Sequence, residues 1–279
     1  MDLRDRICLV TGASSGLGLA VAQQFANKGA TTILMVRNQA KGQDAINEIK
    51  KTIPDASLDL MICDLASLKS VQNFIREFKS KYSKLDILYN NAAVMKQKRT
   101  LTPDGIEMMF QVNYLSPFVI MNEMLELLKH GGSPLIINNG RPADKYRFNP
   151  DDLQFSKNYN MFHSFFITKL YLLFATLELS ESEQSKGVDV IMVDPGPFKS
   201  KLVREIPFMG WIKNLFSNKV ETAAENILYH VESNSKQDKN GKVFKEKSEH
   251  PQPTYWRDNE TRKTLWAKTD ALIREKLNT

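Results

Sequence analysis

Cysteine is scarce: Cys8 and Cys63 are the only two in 279 residues. Each falls in an apolar run that reads as a buried strand. Free core thiols are therefore expected in place of a disulfide, as suits a reducing compartment. No stretch approaches the roughly 18–20 consecutive apolar residues of a membrane span, and the N-terminal MDLRDR lacks the apolar segment of a secretory signal. A cytoplasmic protein is expected. Charge of one sign is massed nowhere: the net +6 is spread among interleaved acids and bases. This argues against nucleic-acid binding and leaves room for a basic pocket around an anionic cofactor. Internal repeats, low-complexity tracts and linkers are absent. With 42% hydrophobic and 25% charged residues, the chain is expected to form one domain over residues 1–279.

What is present is an alternation. Short runs rich in Val, Ile and Leu at 6–10, 31–36, 58–63, 85–89, 133–138 and 188–193 have the near-continuous hydrophobicity of strands covered on both faces. Helical periodicity fills 16–28, 39–52, 68–82, 104–130 and 156–184. The expected fold is α/β, a Rossmann-type doubly wound parallel β-sheet with helices on both faces. Its organising stretch is Val10 to Gly18, where a strand runs through Gly12, Ser14, Ser15, Gly16, Leu17 and Gly18 into a helix. Glycines let the backbone approach a pyrophosphate, and the free N–H groups of the first helical turn point at the anion. Ligands bind such sheets beyond the carboxyl ends of the strands. After the second strand come Arg37 and Asn38. Arg at this place suits the 2′-phosphate of NADP(H), whereas an acid would select NAD. After the third come Asp64 and Leu65, suited to the adenine, with the Asp also able to cap the next helix. After the fourth come Asn90, Asn91, Ala92 and Ala93, small residues that allow close approach. After the sixth, Asp194-Pro195-Gly196-Pro197 makes a rigid turn at the nicotinamide end.

Along essentially its whole length the chain resembles the short-chain dehydrogenase/reductase family. Residues 11–18 match that family's Thr-Gly-x-x-x-Gly-x-Gly motif, and Asp64 matches its adenine-contacting Asp. Residues 90–93 resemble its Asn-Asn-Ala-Gly, with Ala93 in place of Gly. Asn113 matches the helix Asn that holds a proton-relay water, Lys169 the catalytic Lys, and Pro195-Gly196 the late Pro-Gly. The run Thr168-Lys169-Leu170, Asn-Asn-Ala-Ala-Val at 90–94 and Leu265-Trp266 resemble the retinol-dehydrogenase and protochlorophyllide-reductase branch. The resemblance implies that Lys169 also bonds the nicotinamide ribose.

Two of the four catalytic positions depart from the family. Its proton-donating Tyr, four residues before the Lys, is Phe165 here, and its Ser falls on Gly140, or on Asn139 after a one-residue slip. A phenyl ring has no proton to give. Tyr159, His163 and Asp144 are the candidate replacement donors. Restoring the pair by Phe165→Tyr with Gly140→Ser is expected to raise activity on simple carbonyls.

Three functions are compatible with these residues: an NADP(H)-dependent reductase of a hydrophobic conjugated C=C or carbonyl compound; a catalytically impaired protein that binds NADP(H) as a sensor or scaffold; and a non-redox isomerase or lyase on the same fold. Residues 198–219 contain the apolar run Ile206 to Phe216. It reads as a lid over a small hydrophobic substrate, with core packing and peripheral membrane contact through Phe208 and Trp211 as less favoured readings. Gly241-Lys242-Val243-Phe244 reads as an edge strand, and a helix through Leu265 and Ile273 completes the 241–279 region. Tyr255 and Trp256 read as packing residues. Leu170 to Phe174 in the 156–184 helix is apolar enough for core or for a homodimer face. No metal site is expected.

Overall fold

In a computed structural model, residues 2–198, 219–233 and 238–277 are described. Eight strands form one sheet among them: β1 (Ile7–Thr11), β2 (Thr31–Val36), β3 (Leu58–Ile62), β4 (Ile87–Asn90), β5 (Leu135–Asn139), β6 (Asp189–Asp194), β7 (Val243–Lys245) and β8 (Ser248–Glu249). Their order is β3-β2-β1-β4-β5-β6-β7-β8. Every pairing is parallel except β7 with β8. The strand order reverses between β1 and β4. That crevice is where such sheets take their ligands.

The apolar runs are continuous because both sheet faces are buried. Successive side chains on a strand point to opposite faces, and the core divides accordingly. Val10, Leu34, Ile137 and Ile191 join one cluster with Val21 and Phe25 of α1 (Gly16–Asn27), Ile49 of α2 (Gln39–Thr52) and Ile227 of α8 (Val220–Glu232). Their strand neighbours Leu9, Ile33, Ile136 and Val190 join the other, with Val71 and Phe74 of α3 (Leu68–Lys81) and Leu170 and Phe174 of α7 (Met161–Ser180). Cys8 and Cys63 are buried free thiols, as expected.

The expected helix over 104–130 is subdivided. It starts at Met108, with Glu107 accepting the Phe110 amide as cap, and runs through α4 (Met108–Phe110), a π-helical turn (Gln111–Leu115), α5 (Ser116–Glu123) and α6 (Leu125–Lys129). Pro117 lacks the N–H that would bond the carbonyl of Asn113, and in the widened turn the Ser116 amide reaches back to Gln111. The expected helix over 156–184 begins later, at Met161, where the Asn160 side chain accepts the His163 amide. Its far end becomes a separate 3₁₀ turn, Glu183–Ser185.

α7 interrupts its apolar residues with His163, Lys169 and Glu178, yet is long and apolar enough overall for a membrane-spanning helix. Its 20 residues include an 18-residue window of mean hydropathy 1.2, 72% of it buried inside the protein. By length and composition it could span a bilayer; here it is a core helix. Leu170 to Phe174 are core residues. The chain's own α9 (Asn259–Leu277) packs on α7 and α5. Leu265 is buried there, Trp266 meets the Phe118 ring edge-on at 4.5 Å, and Thr269 and the Tyr114 hydroxyl are hydrogen-bonded at 2.7 Å. The strand expected at 241–244 is β7, but β8 beyond it forms the edge. Trp256 is buried, and the Tyr255 hydroxyl donates to the Ala143 and Tyr146 carbonyls, as packing residues would.

Candidate active site

At the carboxyl end of β1 the glycines divide the work. Gly12 (φ +67°) and Gly16 (φ +60°) hold left-handed backbone that other residues rarely adopt. A Cβ on Gly18 would lie 2.5 Å from both the Gly12 carbonyl oxygen and Asn91 Nδ2, so this position has no room for a side chain. A Cβ on Gly16 would meet nothing within 4 Å, and this side of the turn is open. Ser15 is the N-cap of α1, yet its side chain makes no capping bond, and the first turn carries no acid. The orphan amides at this helix start, including that of Leu17, therefore face the open side with the positive end of the helix dipole. Ser14 and Ser15 are half-buried, while the Leu17 side chain is in the core.

Thr11 ties the two halves of the crevice together, a role its place in the motif did not announce. Its Oγ1 accepts the amides of Asn91 and Ala92, each at 3.0 Å, and its carbonyl accepts Asn91 Nδ2 at 2.9 Å. Asn91 Oδ1 in turn accepts Asn139 Nδ2 at 3.3 Å. Arg37 is exposed and makes no hydrogen bond or ion pair among the described residues. Asn38 caps α2 by accepting the Lys41 amide. Asp64 accepts the Ala66 amide in a local turn, and the buried Leu65 accepts the Ser116 hydroxyl through its carbonyl.

At the other end of the crevice Lys169 is buried, and its Nζ donates to the Asn139 carbonyl at 2.8 Å. Burial pulls its amine down to about 8, against the opposing charge of Asp194. Phe165 lies one helical turn earlier, its ring centroid 5.9 Å from Nζ. Asn113, in the π turn, is fully buried: its Oδ1 accepts the Val94 amide, and its Nδ2 donates to the Val94 carbonyl and to Thr168. Of the sequence candidates for proton donor, Tyr159 and Asp144 already have partners. The Tyr159 hydroxyl donates to the Lys96 carbonyl at 2.6 Å, and burial pushes it up to about 12. His163 is exposed beside the Tyr146 ring, and Asp144 faces His250 at 3.3 Å.

Two features of this end had escaped the sequence. A Cβ on Gly140 would fall 2.2 Å from the sulfur of Met192. The thioether of the neighbouring strand thus lies where a side chain at position 140 would begin, and Gly140→Ser requires Met192 to shift. Next to Gly140, Arg141 bonds through Nε to Asp194 Oδ2 at 3.3 Å, while Oδ1 accepts the Gly196 amide. Gly196 is left-handed at φ +85°, and the Pro195 carbonyl accepts Asn226 Nδ2. The expected lid, 198–219, lies outside the described residues apart from its two ends. Among the described residues no cluster of His, Cys, Asp or Glu could hold a metal.

Comparison with known proteins agrees with this architecture. A family model described as short chain dehydrogenase matches residues 6–148. Human retinol dehydrogenase 11 is 33% identical over 223 residues, covering 80% of this chain and 70% of its own. Human retinol dehydrogenase 13 is 32% identical over 279 aligned residues, covering 95% and 83%. Human polyprenol dehydrogenase is 31% identical over 242 residues, covering 81% and 73%. Among solved structures, a short-chain type dehydrogenase/reductase from Mycobacterium marinum superposes with a TM-score of 0.71 at 17% identity, covering 88% of this chain and 94% of that one. A Shigella flexneri structure, described as a short chain dehydrogenase complexed with NADP, gives 0.69 at 20% identity, covering 88% and 98%.

Proposed function

Because this chain belongs to the short-chain dehydrogenase/reductase family, in its retinol dehydrogenase-like branch, we propose that it is an NADP(H)-dependent oxidoreductase that reduces a hydrophobic conjugated C=C compound. The observation that carries this reading is the open, uncapped start of α1 beside Gly16, a ready pyrophosphate site. Around it, Gly12, Ser14, Ser15, Leu17 and Gly18 would hold the pyrophosphate. Arg37 and Asn38 would take the 2′-phosphate, Asp64 and Leu65 the adenine. Asn91, Ala92, Pro195 and Gly196 would frame the nicotinamide end. Lys169 would donate to the ribose hydroxyls, exchanging its bond with Asn139 for them. When bound, the reduced nicotinamide supplies a hydride, and the second hydrogen reaches the product as a proton from water.

Phe165 supports the choice of substrate. Ketone reduction places charge on an oxygen that must be protonated, and loss of one donor costs about 10²–10³ in rate. In a conjugated system, carbon receives the proton, and a phenol beside the oxygen is less needed. Relatives named for retinol and polyprenol favour an apolar substrate. NADPH consumption should be faster with hydrophobic enals and enones than with the corresponding saturated ketones. Faster turnover of the saturated ketones would contradict the reading.

A second reading, a protein that binds NADP(H) without turnover, is favoured by Phe165 and Gly140, neither of which carries a hydroxyl. It predicts tight NADPH binding with no consumption over background for any of these compounds.

A further inference from the structure

Among the described residues at the nicotinamide end, three side-chain donors are already committed. Asn91 Nδ2 serves the Thr11 carbonyl, Asn139 Nδ2 serves Asn91, and Lys169 Nζ serves the Asn139 carbonyl. Arg141 is different. It follows Gly140 at the carboxyl end of β5, and its side chain is 45% exposed. Its one hydrogen bond among the described residues runs from Nε to Asp194, which leaves both terminal nitrogens uncommitted. Asp194 is 5% exposed and is itself fixed by the Gly196 amide, so it can hold the guanidinium in one orientation.

We propose that Arg141 is the residue that holds the substrate's carbonyl oxygen as negative charge develops on it, with Asp194 as its positioning residue. The proposal rests on the reductase reading above and supplies what Phe165 and Gly140 lack. A guanidinium donates hydrogen bonds without giving up a proton, and its planar fork suits a single oxygen or a carboxylate. It can therefore stabilise an enolate, which then takes its proton at carbon from water. An alkoxide is far more basic than an enolate, so hydride delivery to a saturated ketone needs a proton passed as the charge forms, which a guanidinium does not give. Arg141 thus discriminates between the two substrate classes in the direction that Phe165 does.

The test uses 4-nitrophenol, whose phenolate mimics the enolate oxygen and is seen by its visible absorbance, with the full chain alone and with NADP⁺. Bound to the unchanged protein, the phenol should become about tenfold more acidic, the scale of one charge-assisted hydrogen bond. Arg141→Gln should abolish that shift, Arg141→Lys should keep part of it, and Asp194→Asn should weaken it. In turnover, Arg141→Gln should lower kcat on an enone by about 10²-fold with a smaller change in KM and in NADPH affinity. Equal phenol acidity in Arg141→Gln and the unchanged protein would overturn the proposal. So would benzoate binding that depends on Arg141 without any phenol shift, which would make this residue a carboxylate anchor. Failure of NADPH to bind would instead sink the reductase reading, because the phenol shift is also read without cofactor.

Discussion

A benzene ring stands one turn before Lys169, where the proposed site has no hydroxyl to offer, and Met192 lies against the backbone of Gly140. The first was legible in the sequence because spacing along a helix fixes which residue stands beside Lys169. The second was not, since it depends on a side chain from the adjacent strand. Nor could chain proximity reveal that Tyr159 donates to Lys96 or that Asp144 faces His250. Gly140→Ser alone should destabilise by about 1–3 kcal/mol, the scale of overpacking in a filled core, readable in urea. Phe165→Tyr, Gly140→Ser and Met192→Ala together should raise carbonyl reduction above that of the double substitution that keeps Met192. Lys169 offers a test by titration. Its amine is held at about 8, below the ordinary 10.5, so between these pH values the native chain binds fewer protons than the unfolded one. Stability contributed by this group therefore rises with pH across that window. Lys169→Met should be more stable at neutral pH, show a flatter stability profile from pH 8 to 10.5, and bind NADPH more weakly. An unchanged slope would show that the amine is not buried in solution.

Among the elements, the strands follow directly from their apolar runs, since a parallel sheet buries both faces. Ser67 capping α3 and Asn38 capping α2 follow from residue type. Helix starts were harder to place: polar residues such as Ser156 to Asn160 fit a helical surface until a cap interrupts it. The π turn around Asn113 and the docking of α9 depend on tertiary contacts that periodicity does not carry. α9 covers the apolar flank of α5 and α7, where Arg262 pairs with Glu181 and lies 3.5 Å from Glu178. Leu265→Ala, at a 1% exposed position, should cost about 2–5 kcal/mol. Denaturant unfolding followed by Trp266 fluorescence would measure it, and a loss well below 1 kcal/mol would mean α9 is loosely attached.

For the whole molecule, the sheet order places the reversal between β1 and β4, and the residues beyond those strands converge on one crevice. Their convergence was readable because parallel strands all present their carboxyl ends to the same side. In the proposed reading the choice of nucleotide falls to Arg37, which has no partner of its own among the described residues. Arg37→Ala should weaken NADPH by tenfold or more, about 1.5–3 kcal/mol for a charge-assisted bond, and leave NADH nearly unchanged. The most direct measurement is calorimetric titration of the unmodified protein with NADPH and, separately, NADH. Saturable binding of NADPH, tighter than that of NADH, is the predicted result; no heat beyond dilution with either nucleotide would contradict the account.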